Sequence, residues 1–69
     1  MDLENDILDE ALRRITRRAN GNGMINKKAV FAELSFIRID RNTGENILSE
    51  LERRNRIRRK QRGRIYINR

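Results

Sequence analysis

The sequence has no cysteine, no histidine and no tryptophan, and its aromatic residues are limited to Phe31, Phe36 and Tyr66. Without cysteine there is neither a disulfide framework nor a thiolate metal site. Without histidine the commonest general base and the commonest zinc ligand are missing. So few aromatics argue against stacking single-stranded bases. No apolar run approaches the roughly 20 residues of a membrane span, and nothing resembles a cleaved signal, so an intracellular, cytoplasmic protein is expected. There is no phosphate-cradling glycine motif and no pair of carboxylates obviously held apart in a pocket. No enzyme, no metal and no cofactor are therefore expected. At 69 residues the chain is expected to form one domain, residues 1–69. Such a domain buries only about 60% of its unfolded surface and is marginal alone, which makes pairing with a second copy or a larger partner a live expectation.

What the chain has is segregated charge. Lys plus Arg number 17 and Asp plus Glu 10, a net charge of +7. Residues 1–12 carry −5, residues 13–28 carry +6, residues 29–52 carry −3, and residues 53–69 carry +9 with no carboxylate at all. A basic surface gathered at one end is the footprint of a phosphate-backbone partner. Arginine far outnumbers lysine, and its planar fork suits bidentate phosphate contact. Basicity for solubility is the plain alternative, but it does not require segregation. An anionic membrane is a weaker one, because the basic end lacks a long amphipathic helix.

Leu3, Ile7, Leu8, Ala11, Leu12, Ile15 and Ala19 follow helical spacing and predict a first helix over about 2–19. Acids crowd its start and arginines its end, an order that suits the helix dipole. The apolar stripe covers about half the wheel, wider than a small core needs, so part of it could be a homodimer seam. Asn20-Gly21-Asn22-Gly23 tolerates positive φ and ends the helix. Met24-Ile25 is too short to stand alone but can pair as a third strand. Asn26 is a good N-cap for a short helix over about 27–34, with Val30, Phe31 and Leu34 facing in and Lys28 out. Phe36, Ile37 and Ile39 in the following connector are available to the core.

Asp40 is the expected N-cap of a third helix, about 41–54, with Asn42 or Thr43 serving if the helix starts later. On its wheel Gly44, Ile47, Leu48 and Leu51 share one side, and Asn42, Asn46, Ser49 and Arg53 share the opposite one. Glu45, Glu50 and Glu52 fall on the flanks. The outer stripe is thus amides, a hydroxyl and a guanidinium, groups able to hydrogen-bond base edges, although any solvated helix face can look the same. Gly44 costs about 1 kcal/mol relative to Ala in a helix, and its place on the apolar face suggests close approach to a neighbouring helix. Asn55 suits a left-handed cap. Ile57, Ile65 and Ile67 then mark a hairpin over about 56–68, turning at Gln61-Arg62-Gly63 with Gly63 fit for positive φ. The basic side chains of Arg58, Arg59, Lys60, Arg62 and Arg64 require it to lean on the helices, since an isolated hairpin so charged would not hold.

The order helix, short strand, helix, helix, hairpin resembles the winged helix-turn-helix family. The run ILSELERRNRIRRKQRGRIYI at residues 47–67 carries most of the likeness: a helix closing in a Leu-Glu pair, an aliphatic residue opening a wing, a glycine turn, and a final aliphatic-aromatic strand. Asn55 stands where glycine is usual. The resemblance implies a mainly α fold of three helices with a two- or three-stranded antiparallel wing sheet. It implies binding to double-stranded DNA, with the third helix in the major groove and the wing on the backbone or minor groove. Asn42, Asn46, Ser49 and Arg53 then match the base-reading positions. Gln61 and Arg62 match the wing tip, Lys60 and Arg64 its flanks, and Arg58 the basic strand leading into it. Arg41 and Thr43 lie at the start of the third helix, and Lys27 and Lys28 open the second, where backbone contact is common. A small transcriptional regulator is the leading expectation. A winged-helix module docking on an acidic protein is the alternative, favoured by the three glutamates beside the reading face.

Overall fold

The computed structural model describes residues 4–68. Three helices and a three-stranded antiparallel sheet take the layout of a winged helix. Helix α1 spans Asn5–Arg18, strand β1 Met24–Asn26, helix α2 Lys27–Ser35, helix α3 Arg41–Arg53, strand β2 Ile57–Arg59 and strand β3 Arg64–Ile67. The strand order is β1-β3-β2, so Met24-Ile25 does pair with the C-terminal hairpin, Ile25 opposite Ile65. The expected start of the first helix at residues 2–3, with Leu3 of its stripe, lies outside the described residues.

Alternation along the strands decides which side chains face the helices. Ile57, Arg59, Ile65, Ile67 and Ile25 share the inner face, because opposed residues point the same way and neighbours in a strand point opposite ways. Met24, Asn26, Arg58, Arg64 and Tyr66 take the outer face. The core joins Ile25, Ile57 and Ile65 to Leu8, Ala11 and Ile15 of α1, Val30 and Leu34 of α2, and Ile47, Leu48 and Leu51 of α3, all buried. The stripe of α1 is therefore spent mostly on the core. Leu12 and Ala19 are half-buried beside it and Ile7 is 38% exposed.

Both helices of the helix-turn-helix end in the same way. The Ile39 amide donates to the Leu34 carbonyl at 3.1 Å with Arg38 at φ 61°. The Arg56 amide donates to the Leu51 carbonyl at 2.8 Å with Asn55 at φ 61°. These six-to-one closures satisfy carbonyls that a helix end leaves open, and each needs a left-handed residue. Asn55 was legible as one. Arg38 was not, since arginine carries no preference for that conformation. At the wing, Arg62 and Gly63 have φ of 62° and 71°, and the Arg64 amide closes the turn on the Gln61 carbonyl. Two successive left-handed residues match the twist of a two-residue hairpin loop.

Some expectations fail. Phe36 is not in the core: the turn after Ser35 leaves it 73% exposed, while Val30 and Leu34 fill the space and Ile37 and Ile39 take the edges. Phe31 is only half-buried. Asn26 occupies the N-cap position of α2, but its side chain makes no capping bond. It also ends β1, where alternation turns it to the outer face. Asn20 does more than end α1, accepting from the Asn22 and Met24 amides at 2.9 and 3.0 Å and so shaping the turn into β1. The buried carboxylate of Glu33, 5% exposed, ties α2 to α1 by accepting from Arg14 at 3.3 Å and Arg18 at 3.1 Å.

Gly44 is where α2 and α3 come together. A β-carbon there would stand 2.8 Å from Phe31 Cε1 and 3.0 Å from Cδ1. Alanine should gain about 1 kcal/mol of helix propensity and lose about 1–3 kcal/mol to overpacking. Gly44→Ala is therefore expected to destabilise the chain by about 1 kcal/mol net. In a Phe31→Ala background the same change should be neutral or stabilising. A double-mutant cycle by urea denaturation measures the coupling.

Candidate nucleic-acid interface

The N-terminus of α3 is set by Asp40, whose carboxylate accepts from the Thr43 amide at 2.7 Å. From this start the core face of α3 packs inward, and Asn42, Asn46, Ser49 and Arg53 come out exposed together. Gln61, Arg62 and Lys60 are exposed at the wing turn. The wing is short, and its tip folds against the start of α2. Asn26, Lys27, Lys28, Arg62 and Gly63 line a single cleft of about 380 Å³. Residues that stand 35 positions apart in the chain, Lys27 and Arg62, thus border one basic hollow.

The glutamates of α3 are each met by cations. Glu50 accepts from Arg53 Nε at 3.1 Å and from Arg54 Nε at 2.9 Å. Glu52 accepts from Arg59 at 3.0 and 2.9 Å through Nε and a terminal nitrogen. Glu45 pairs with Lys27 and lies 3.6 Å from Arg59, which also reaches the Ser49 hydroxyl at 3.5 Å. The half-buried Phe31 ring holds two cations over it, with Arg41 at 5.1 Å and Lys27 at 5.8 Å from its centroid, a geometry in which the ring quadrupole attracts positive charge.

Apart from Gln61 at the wing turn, the expected site residues separate into four groups. Asn42, Asn46 and Ser49 form the outer stripe of α3, with Arg53 beside them but tethered to Glu50. Lys28, Arg41, Lys60 and Arg62 are exposed and have no carboxylate partner among the described residues. Arg58 and Arg64 lie on the outer face of the sheet, and Arg64 donates to the Gln61 carbonyl at 3.3 Å. Lys27 is committed to Glu45 and Phe31, and the Thr43 amide to Asp40. Arg59 was missed by sequence reasoning. Period two could have found it, because it lies two residues from the buried Ile57 and so on the inner face.

No group of His, Cys, Asp or Glu that could hold a metal ion occurs among the described residues. No helix among them is long and apolar enough to cross a membrane. Comparison with protein-family models, with curated proteins and with solved structures finds no match to this chain.

The carboxylate pairings give stability a direction with pH. Hydrogen bonds from Arg53 and Arg54 hold Glu50 down at about 2, against an ordinary 4.5. Arg59 lowers Glu52, Arg14 lowers Glu10, and the Thr43 amide lowers Asp40. Groups depressed in the folded state bind fewer protons there than in the unfolded chain. Their contribution is complete above the ordinary carboxylate pKa and is lost as pH falls through the depressed value. The thermal midpoint followed by circular dichroism should stay flat between about pH 5 and 8, where histidine would titrate and none exists. It should fall between pH 4.5 and about 2, less steeply in Glu50→Gln.

Proposed function

We propose that the chain is a double-stranded DNA-binding winged helix acting as a small transcriptional regulator in the cytoplasm. The third helix α3 enters the major groove, and the wing turn and the start of α2 meet the phosphate backbone. The observation that carries this is electrostatic. All three acids of α3 are matched by cations within the chain, while Lys28, Arg41, Lys60 and Arg62 keep their charges for a partner. The outer stripe of α3 then offers amides and a hydroxyl where base edges would lie. Phosphate contacts supply affinity and the stripe supplies sequence preference. A protein-docking role on an acidic partner is the second reading, favoured by the exposed Phe36 at the elbow between α2 and α3.

Fluorescence anisotropy with a random duplex decides between them. The logarithm of the affinity should fall linearly with log salt, with a slope of about −0.9 per phosphate neutralised. Arg62→Ala and Lys28→Ala should each reduce that slope by about 1 across all sequences. Asn46→Ala should instead relax preference, at about 1–3 kcal/mol for a lost base contact. No binding at about 50 mM salt, where phosphate contacts are strong, would sink the DNA reading and leave the acidic partner.

Arg59 has a distinct expected signature. It faces Glu45 and Glu52, so it serves DNA by neutralising them. Arg59→Ala should weaken duplex binding more than Arg62→Ala does. Adding Glu45→Gln and Glu52→Gln should restore most of the loss. A direct phosphate contact by Arg59 would instead leave the triple variant as weak as the single.

A further inference from the structure

The charges of α1 are not all used within the chain. Glu10 holds Arg13 and Arg14, and Glu33 holds Arg14 and Arg18. Asp6, Asp9 and Arg17 have no ion-pair partner among the described residues. Asp9 and Arg17 lie eight residues apart, about 12 Å along a helix, and both border one open groove of about 460 Å³. Leu12, Arg13 and Thr16 continue its wall, and Arg56 closes the other side. Leu12 is half-buried, and the Thr16 hydroxyl donates to the Leu12 carbonyl at 2.7 Å, so it asks for no outside partner.

We propose that this flank of α1 receives the same flank of a second copy of the chain, antiparallel across a two-fold axis near Leu12. Such an axis makes the contact self-complementary. Asp9 of each copy lies over Thr16 of the other, between its Arg13 and Arg17, and the two Leu12 side chains meet at the centre. The choice of a second copy rests on charge. Asp9 is the one acid of this groove beside Arg13, Arg17 and Arg56, and two copies laid in opposite directions bring each Asp9 onto the arginine-rich end of the other. The apolar content is small, so the contact is weaker than stable interfaces of about 1,200–2,000 Å². It depends on concentration and on salt. It does not depend on DNA binding, because none of the candidate DNA-contacting residues lines this groove.

The test is sedimentation of the full chain from about 10 µM to about 1 mM, a range that brackets weak association, at low and high salt. The wild type should associate with rising concentration and dissociate with salt. Asp9→Arg places Arg against Arg13 and Arg17 of the other copy, and Arg17→Asp places Asp against its Asp9. Each variant alone should be monomeric. An equimolar mixture of the two should regain association, weaker than the wild type's, because one cross-contact is then native and the other sets the introduced Arg against the introduced Asp with Arg13 still beside it. Both positions are exposed, so circular dichroism of each variant should match the wild type. If a reversal disturbs the fold, Asp9→Asn and Arg17→Gln should each weaken association without rescue on mixing. A wild type that stays monomeric throughout, single variants that associate normally, or a mixture that stays monomeric each overturns the proposal. The first result would assign the groove to some other occupant, such as an acidic peptide.

Discussion

The placing of α3 depends on a side chain that is not there. At Gly44 the backbone of α3 comes close enough to α2 that the Phe31 ring occupies the space of a β-carbon. That approach lets Ile47, Leu48 and Leu51 reach the shared core with Val30 and Leu34. It also keeps the Phe31 ring at the domain's edge, where Lys27 and Arg41 can lie over it. The opposite face of α3 is thereby turned outward as a unit. A larger residue at Gly44 would change the tilt of everything that face presents.

The second organising feature is the way acids are housed in so basic a chain. Glu33 is buried among the helices and held by two arginines of α1. A carboxylate taken from water and left unpaired would cost several kcal/mol, so those arginines are needed where they are. Glu45, Glu50 and Glu52 are exposed enough that each pairing contributes little to stability alone. Their importance lies in the field they cancel. Arg59 is central here, since it spans Glu45, Ser49 and Glu52 from the inner face of the wing.

Local pattern revealed much of the fold. The wheel of α3 separated its faces correctly because both stripes obey one period over thirteen residues. Asp40, Asn55 and Gly63 were legible because their backbone roles match their side-chain chemistry. What escaped was non-local or against type. Glu33 lies 15 and 19 residues from its arginines, and no spacing rule links them. Phe36 looked like a core residue by composition, but the turn that ends α2 directs it out. Arg38 takes a left-handed conformation that its neighbours impose. In the candidate interface the exposure of Asn42, Asn46 and Ser49 was legible. The joining of the wing tip to α2 was not, because it follows from the sheet register and the shortness of the hairpin.

That shortness has a consequence for information. The domain's longest extent is 29 Å, less than the roughly 34 Å of one turn of B-form DNA. A wing folded back on α2 adds no reach beyond it. A single copy would therefore survey a handful of base pairs, each worth about 1–3 kcal/mol of discrimination, among the roughly 10⁶–10⁹ competing sites of a genome. As the DNA reader proposed above, the chain would distinguish kinds of sequence but not addresses. An address would have to come from a second reading event nearby.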